Sequence, residues 1–405
     1  MKEAVIVDAI RTPIGRYGGV LKSIRPDDLA AIAIKAIVER NSLDPETVED
    51  VLLGAANQAG EDNRNVARMA LLLAGLPVSV PGGTVNRLCG SGLMAVNEAV
   101  RAIWSGEGDV FIAGGVESMT RAPFVMAKPE FPFPRGEMSM LDTTLGWRFT
   151  NPKLAKLHHP YSMGETAENV AEKYGIKREA QDEFALSSQH KYGAALEKGL
   201  FKDEIIPVQV TVKKGREKIQ EAICVDEHPR PNTTIEDLTK LKAAFREGGT
   251  VTAGNSSGIN DGASAVLLMS ADRAKDLGLK PMARVVSTAV AGVDPATMGL
   301  GPIPASQKAL KRAGLTIDQI DLIELNEAFA VQVLACVQDL GIELGKNNLN
   351  VNGGSIALGH PLGASGARIL TTLLHEMKRR EVDRGLATMC IGVGQGIATV
   401  VERVR

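Results

Sequence analysis

The sequence predicts an α/β fold made of two similar halves, with an irregular segment inserted into the first half. Three observations predict it: a pattern that recurs after 272 to 274 residues, apolar stretches that alternate between helix and strand spacing, and a proline-rich segment after residue 120. A chain of 405 residues is too long for one simple core, so two domains or one large duplicated domain is expected.

The internal repeat rests on features that recur in the same order. The matched pairs are Leu43–Leu53 with Leu315–Leu325 at an offset of 272 residues, and Ser91–Gly92 with Ser365–Gly366 and Asp109–Ala113 with Asp383–Ala387 at an offset of 274. An apolar stretch with helical spacing precedes both members of the first pair. Chance coincidence of common helix and strand patterns is the alternative, and the agreement of the offsets disfavours it.

Each half reads as strand, helix, strand, glycine-rich turn, long helix and strand. The first strand covers Ala4 to Ile10 and contains Asp8, so we expect a strand here and not a signal peptide. The two long helices show apolar side chains at helical spacing, namely Leu93, Val96, Ala99, Val100 and Ile103, and Ile369, Leu370, Leu373, Leu374 and Met377.

An irregular segment separates the first half from its last strand. It begins after Thr120, is rich in proline, and contains one predicted helical stretch, Glu165 to Leu186. The strand pattern returns between Thr250 and Met269. We therefore assign residues 1–120 and 247–272 to an N-terminal half, 121–246 to an inserted loop domain that covers a site, and 273–405 to a C-terminal half.

Composition excludes several classes of protein. The net charge is −2, so no basic field is available for nucleic acid or an anionic membrane surface. No apolar run is long enough to span a bilayer. Four widely spaced cysteines form neither a disulfide framework nor a zinc ribbon. We expect free thiols in a reducing compartment, the cytoplasm.

Cys89 lies in the turn Leu-Cys-Gly-Ser-Gly, directly before the first long helix. The helix dipole and free N–H groups there are expected to favour a thiolate, and Gly90 and Gly92 open the backbone to a large substrate. For a lone cysteine, packing alone would be the better explanation. The polar Asn86 and Arg87 before it, and the matching turn in the second half, favour a nucleophile.

His360 and Cys390 lie in the other two glycine-rich turns. If a pseudo-two-fold axis relates the halves, His360 faces the Cys89 turn and can take its proton; a structural loop histidine is the alternative. Cys390 precedes Gly392, whose N–H could contribute to an oxyanion hole. The Gly-Val-Gly-Gln-Gly run is weak evidence for a dinucleotide site, because the segment Ile397–Val400 after it reads as a strand.

Asn326 and Glu327 begin where a strand of the second half ends. Taken alone, this amide and carboxylate indicate a helix cap. Beside the other three turns, Asn326 becomes a candidate for orienting a water molecule or an acyl oxygen.

Together these motifs resemble the thiolase family. The matching stretches are Leu-Cys-Gly-Ser-Gly at Cys89, Asn-Glu-Ala-Phe at Asn326, Gly-His-Pro-Leu-Gly-Ala-Ser-Gly at His360, Cys-Ile-Gly at Cys390, Ala113–Met119, Met163–Val170 and Thr252–Gly258. The resemblance covers essentially the whole chain, and the combination is highly specific. It implies a five-layer αβαβα sandwich of two similar halves with an inserted loop domain, in a homodimer or homotetramer.

The resemblance also implies a role for each site residue. Cys89 would be acylated, and His360 would activate it and, with a water held by Asn326, stabilise an enolate. Cys390 would carry the proton of the acetyl carbon, and the N–H groups of Cys89 and Gly392 would form a second oxyanion hole.

The resemblance implies coenzyme A as co-substrate, with no metal and no permanently bound cofactor. The positions that match the family's coenzyme A contacts are Met163, Arg230, Ser257 and Phe329. Arg230 is expected at the nucleotide end of coenzyme A, since a guanidinium pairs with phosphate or stacks on adenine.

The preferred subtype is a degradative 3-ketoacyl-CoA thiolase, as in fatty acid β-oxidation. Val393 interrupts the Gly-Gly-Gly run that biosynthetic acetoacetyl-CoA thiolases commonly have, and Ser162 stands where they commonly have histidine. The biosynthetic enzyme remains an alternative. A ketoadipyl-CoA thiolase is another, because the run Asp142–Phe149 resembles the loop of that type; Trp147 and Arg148 could bound an acyl pocket, or pack on the surface.

Two functions of other kinds are disfavoured. A decarboxylating ketosynthase on the same fold would want a second histidine where Asn326 stands. A non-catalytic acyl-CoA or lipid carrier would be expected to lack part of the site, and no part is missing.

Overall fold

The computed structural model describes residues 2–215 and 217–404. The strands of this part are β1 (Ala4–Arg11), β2 (Gly15–Arg16), β3 (Asp50–Gly54), β4 (Gly82–Val85), β5 (Val110–Ser118), β6 (Phe124–Val125), β7 (Leu141–Asp142), β8 (Val208–Lys214), β9 (Glu217–Ile223), β10 (Asn260–Ser270), β11 (Ala283–Gly292), β12 (Leu322–Leu325), β13 (Arg384–Ile391) and β14 (Gln395–Arg403).

The α-helices of the same part are α1 (Pro26–Arg40), α2 (Val66–Leu73), α3 (Ser91–Ser105), α4 (Pro152–Leu157), α5 (Met163–Tyr174), α6 (Arg178–Glu197), α7 (Ile235–Thr239), α8 (Ala271–Asp276), α9 (Pro302–Ala313), α10 (Ala330–Leu340), α11 (Ser355–Leu358) and α12 (Leu362–Arg380). Short 3-10 helices cover Pro45–Thr47, Pro295–Leu300, Ile317–Gln319 and Leu344–Lys346. None of these helices has the length and apolar character needed to cross a bilayer.

The main sheets repeat the same strand order on both sides of one junction. The order is β4–β3–β5–β10–β1 in the first half and β11–β14–β13–β12 in the second, with β2 beside β10. Strands β1 and β11 meet through only two residue pairs, Val5 with Arg284 and Ile6 with Ala283. A parallel bridge from Ile323 to Leu349 takes the place that β4 has in the first half. The predicted duplication is therefore present in the topology.

The core divides into layers because strand side chains alternate between the two faces of a sheet. In β10, Leu267 and Met269 join the apolar cluster of α1 and α2, whereas Val266 and Leu268 join that of α3 and α12. The cluster of α3 and α12 also includes residues of β13 and β14, whose other face packs against α9 and α10. The layers are therefore helix, sheet, helix, sheet, helix, which confirms the predicted fold.

The central layer is held together by a very close contact between α3 and α12. A Cβ atom on Gly92 would lie 2.6 Å from the backbone oxygen of Gly363, and one on Gly366 would collide with the backbone of Leu93. Every residue of α12 from Gly363 to Met377 is buried, as expected of a helix that contacts apolar surfaces all round.

A buried ion-pair network ties the inserted segment to β1. The guanidinium of Arg11 contacts Glu204 at 2.7 Å and Asp226 at 2.6 Å, and all three side chains are inaccessible to solvent. Burial lowers the pKa of Arg11, but the two carboxylates outweigh it and hold the pKa above its usual value. Removing one member of such a network leaves an uncompensated buried charge, so the insert is fixed against the first half.

One helix prediction is wrong. The stretch Glu165 to Leu186 is two helices, since α5 ends at Tyr174 and α6 begins at Arg178. Gly175 adopts φ of +65° and its N–H caps α5 by bonding to the oxygens of Ala171 and Glu172. A left-handed glycine at this position ends a helix. The boundaries at residues 120 and 247 stay predictions.

Replacing Gly92 by alanine tests the helix contact. We expect Gly92→Ala to lower the free energy of unfolding by about 1–3 kcal/mol, because the added methyl group overpacks the interface. Gly345→Ala is the control, since a Cβ there meets no atom within 4 Å. Urea unfolding of both variants measures the difference, and equal stability of the two would contradict the close contact.

Candidate active site

Cys89 lies in a tight turn immediately ahead of α3. Leu88 has φ of +48°, a left-handed conformation that is costly for a leucine. Ser91 holds the turn: its Oγ donates to the oxygen of Leu88 at 2.6 Å and accepts from the N–H of Arg87 at 2.9 Å. The backbone at Cys89 is therefore fixed by its neighbours.

The second cysteine lies beside the first. A Cβ on Gly90 would reach within 2.5 Å of Ile391 Cδ1, so only glycine lets the Cys89 turn approach the end of β13, where Cys390 lies. The N–H of Gly392 lies close enough to the Cys89 sulfur to lower the pKa of its thiol. Burial raises the pKa of Cys390 well above its usual value, and the nearby Cys89 and Cys336 sulfurs raise it further.

The prediction of a thiolate at Cys89 is wrong for the free protein. Burial raises the pKa of the Cys89 thiol to about 11, and the Gly392 N–H, which stabilises the anion, and the nearby Glu117, which destabilises it, are smaller effects. The dipole and free N–H groups at the start of α3 thus do not stabilise the thiolate enough to offset the burial of the sulfur. At neutral pH the sulfur is a thiol.

His360 is buried and is held through its backbone and through one nitrogen of its ring. Its backbone N–H donates to Asn260 Oδ1 at 3.0 Å, and its ring Nδ1 lies 2.6 Å from Ser365 Oγ. Burial lowers the pKa of His360 to about 3, with a further contribution from Arg368. The imidazole is therefore neutral. Its Nε2 is buried and has no hydrogen-bond partner in residues 2–215 and 217–404.

Asn326 is positioned by a chain of polar contacts. Arg368 Nη2 donates to Ser355 Oγ at 2.8 Å, and Ser355 Oγ donates to Asn326 Oδ1 at 2.6 Å. The helix-cap interpretation of Asn326 is wrong, since the residue that caps α10 is Phe329. Asn326 Nδ2 is buried and, like His360 Nε2, lacks a partner in the described part of the chain.

These two buried nitrogens call for hydrogen-bond partners that the described part of the chain does not supply. Burying a polar nitrogen without a partner costs about 1–3 kcal/mol. An oxygen of a substrate or water near His360 Nε2 and Asn326 Nδ2 would recover that cost. Once His360 Nε2 carries a proton, the arrangement can therefore stabilise an oxygen that becomes negative.

Three of the four predicted coenzyme A contacts surround Gly392 and Cys390. Met163 Sδ lies 3.6 Å from where a Cβ of Gly392 would be. Phe329 packs edge-on against Phe245 with ring centres 6.2 Å apart, in the apolar cluster that also contains Met163 and Cys390. The N–H of Ser257 bonds to the oxygen of Ala328, beside Phe329, at 3.0 Å.

Arg230, the fourth predicted contact, lies on an exposed loop further out. Its N–H bonds to Gln189 Oε1 at 2.8 Å. Two residues earlier, the ring of His228 occupies the space in which a Cβ on Gly258 would stand. The Arg230 loop therefore lies against the turn that follows Ser257, and the guanidinium is accessible to an anionic ligand.

Glu117 is a site residue that the sequence reasoning missed. It is buried, and its carboxylate accepts from the N–H groups of Gly363 at 2.8 Å, Ala56 at 2.9 Å and Asn57 at 3.2 Å. Burial raises the pKa of Glu117 to about 7. Glu117 therefore joins the first turn of α12 to the segment that follows β3. The signal available was its place in the stretch Ala113–Met119, which resembles the thiolase family.

Alkylation of Cys89 tests the protonation state. With a pKa of about 11, the iodoacetamide rate of the free protein should rise about tenfold per pH unit from pH 7 to pH 10, because only the thiolate reacts. Peptide mapping against a Cys89→Ser control separates Cys89 from the exposed Cys224. A rate that levels off below pH 8 would mean that the thiolate forms in the free protein.

Comparison with known proteins agrees with this geometry. Residues 4–272 match the family model for the thiolase N-terminal domain, and residues 279–403 match that for the thiolase C-terminal domain. The crystal structure of the Bacillus anthracis acetyl-CoA acetyltransferase superposes with a TM-score of 0.91 at 41% identity, covering 100% of this chain and 99% of that chain.

The curated relatives span the whole chain. A 3-oxoadipyl-CoA/3-oxo-5,6-dehydrosuberyl-CoA thiolase of Escherichia coli is 57% identical over 405 residues, and a beta-ketoadipyl-CoA thiolase of Acinetobacter baylyi is 56% identical, each over 100% of both chains. An acetyl-CoA acetyltransferase of Allochromatium vinosum is 51% identical over 99% of both. The chain belongs to the thiolase family, whose members are acyltransferases that act on acyl-CoA.

Proposed function

We propose that this thiolase cleaves 3-oxoadipyl-CoA with coenzyme A, giving acetyl-CoA and a four-carbon dicarboxylic acyl-CoA. The observation that carries the proposal is the full-length identity of 57% and 56% to thiolases named for that substrate. The resemblance of the loop Asp142–Phe149 to that of ketoadipyl-CoA thiolases supports the same substrate. A general role in fatty acid β-oxidation, which the sequence motifs favoured, has less support than this alternative.

The first half-reaction makes an acyl-enzyme. As substrate binds, the Cys89 thiol gives its proton to the neutral His360 Nε2, and the sulfur attacks the 3-keto carbon. The bond between C2 and C3 breaks, and its electron pair forms the enolate of acetyl-CoA. The Cys390 thiol then protonates C2, leaving acyl-Cys89, a Cys390 thiolate and a charged His360.

The second half-reaction returns each proton. The Cys390 thiolate takes the proton of the coenzyme A thiol, which attacks the acyl carbon on Cys89. The Cys89 sulfur leaves and recovers its proton from His360. The reverse sequence is the Claisen condensation.

Preorganised donors stabilise the two anionic oxygens. The enolate oxygen would accept from His360 Nε2 and from a water held by Asn326, and the tetrahedral oxyanion from the N–H groups of Cys89 and Gly392. Each such donor contributes about 3 kcal/mol in comparable sites. The Gly392 N–H already favours the anionic form of the Cys89 sulfur, which supports its place in the second oxyanion hole.

Coenzyme A is proposed as co-substrate, with no metal and no permanently bound cofactor. Arg230 would contact its phosphates or adenine, and Met163, Ser257 and Phe329 its pantetheine arm. We also propose a homodimer or homotetramer in the cytoplasm. The exposed side chains Phe131, Phe133 and Met140 support self-association, and the free cysteines support a reducing compartment.

A second candidate is acetoacetyl-CoA as substrate, which the 51% identical acetyl-CoA acetyltransferase favours. Steady-state kinetics with three thioesters separates the candidates: 3-oxoadipyl-CoA, acetoacetyl-CoA and 3-oxohexanoyl-CoA, the neutral six-carbon analogue. We expect kcat/KM for 3-oxoadipyl-CoA to be at least about tenfold higher than for the analogue, since a hydrogen-bonded charge contributes about 1.5–3 kcal/mol. A preference for acetoacetyl-CoA would contradict the proposal.

A further inference from the structure

We propose that Arg148 binds the terminal carboxylate of the substrate's acyl chain and so selects a dicarboxylic 3-ketoacyl-CoA. This inference rests on the proposed function. It assigns the discrimination between 3-oxoadipyl-CoA and a neutral chain of equal length to one side chain of the inserted segment.

Arg148 is a partly buried cation that has no carboxylate partner among residues 2–215 and 217–404. Its hydrogen bonds within the described residues run from Nη2 to Asn57 Oδ1 at 3.1 Å and, more weakly, to the Asn57 backbone oxygen at 3.5 Å. By contrast, Arg121 pairs with the carboxylate of Glu61, and Arg246 pairs with that of Glu172. A guanidinium withdrawn from solvent and left without a carboxylate is a site for one.

The partner of Arg148 connects it to both catalytic turns. Asn57 donates its N–H to Glu117, whose carboxylate also accepts from the N–H of Gly363 in the first turn of α12. On the other side, Ala56 next to Asn57 accepts from Asn86 Nδ2 at 3.0 Å, and Asn86 Oδ1 accepts from the N–H of Leu88 at 2.9 Å. Arg148 is therefore separated from the Cys89 turn by a short chain of hydrogen bonds.

The loop around Arg148 is anchored on both sides. Asn57 Nδ2 donates to the oxygen of Thr143 at 3.2 Å and to its Oγ1 at 3.1 Å, and Thr143 Oγ1 donates to the oxygen of Pro123 at 2.7 Å. Trp147 Nε1 donates to the oxygen of Tyr161 at 3.0 Å. The guanidinium is thus held in place before substrate arrives, which reduces the entropy cost of binding.

The chemistry of the substrate suits this position. In 3-oxoadipyl-CoA the carboxylate carbon is three carbon–carbon bonds beyond the keto carbon that Cys89 attacks, so the carboxylate must bind close to the nucleophile turn. With Asn57 occupying Nη2, the rest of the Arg148 guanidinium remains for a carboxylate. A neutral or long apolar chain would leave that charge unpaired, which disfavours it.

Arg87 is the rival cation. It precedes Cys89 by two residues, and its Nη1 donates to Gln395 Oε1 at 2.9 Å. Its partner lies at the start of β14, on the second half of the molecule, whereas the contacts of Arg148 lead to Glu117 and to the Asn86 turn. We therefore favour Arg148, and Arg87→Gln is the matched control.

The test measures kcat/KM of wild type, Arg148→Gln, Arg148→Lys and Arg87→Gln with 3-oxoadipyl-CoA and 3-oxohexanoyl-CoA. We expect Arg148→Gln to lower kcat/KM for the dicarboxylic substrate at least about tenfold, chiefly through KM, since a charge-assisted bond is lost. The neutral analogue, whose rate reports on folding and catalysis, should change less than about twofold. Arg148→Lys should restore part of the preference, and Arg87→Gln should keep it.

Different results overturn different claims. A wild type with no preference for the carboxylate would contradict the proposed function itself. A preference that survives Arg148→Gln but is lost in Arg87→Gln would refute Arg148 and leave the function intact. Equal losses with both substrates would mean that Arg148 only supports the loop, which also overturns the inference.

Discussion

The close contact between α3 and α12 is the constraint on which the site depends. Gly92 and Gly363 meet at that contact, and each follows a catalytic candidate by three residues, Cys89 in one half and His360 in the other. The duplicated fold therefore brings two equivalent turns to one place, with Cys89 and His360 at different positions within them. The Cys89 thiol and the His360 imidazole, which are far apart in sequence, therefore both lie next to the contact between α3 and α12. Cys390, near the end of β13, is the third side chain of the site.

Burial determines the protonation states of Cys89 and His360 at this contact. The thiol of Cys89 and the imidazole of His360 are both neutral at pH 7, because burial raises the pKa of the one and lowers the pKa of the other. The remaining stabilisation for negative charge comes from N–H groups, which need no proton transfer to act. Such a site is inert until a substrate oxygen arrives, and this restricts the reactive thiolate to the substrate complex.

The sequence was sufficient to predict the duplicated architecture and the local helices and strands. The offset between the halves predicted the duplicated sheets, and helical spacing predicted α3 and α12. The contacts that position Asn326 were not predictable, because Arg368 and Ser355 reach it through tertiary packing. The ionisation of Cys89 was mispredicted for the same reason: a helix start can be seen in a sequence, whereas the loss of solvent around one sulfur cannot.

The most direct test of this account is the location of the acyl group. The protein is incubated with acetyl-CoA, quenched in acid and mapped by peptide mass spectrometry, with Cys390→Ala treated in parallel. The account predicts an acetyl group on Cys89 in both proteins, formed more slowly in Cys390→Ala, because Cys390 protonates the leaving coenzyme A thiolate but forms no bond to the acyl group. An adduct on Cys224, Cys336 or Cys390 with Cys89 unmodified would contradict it.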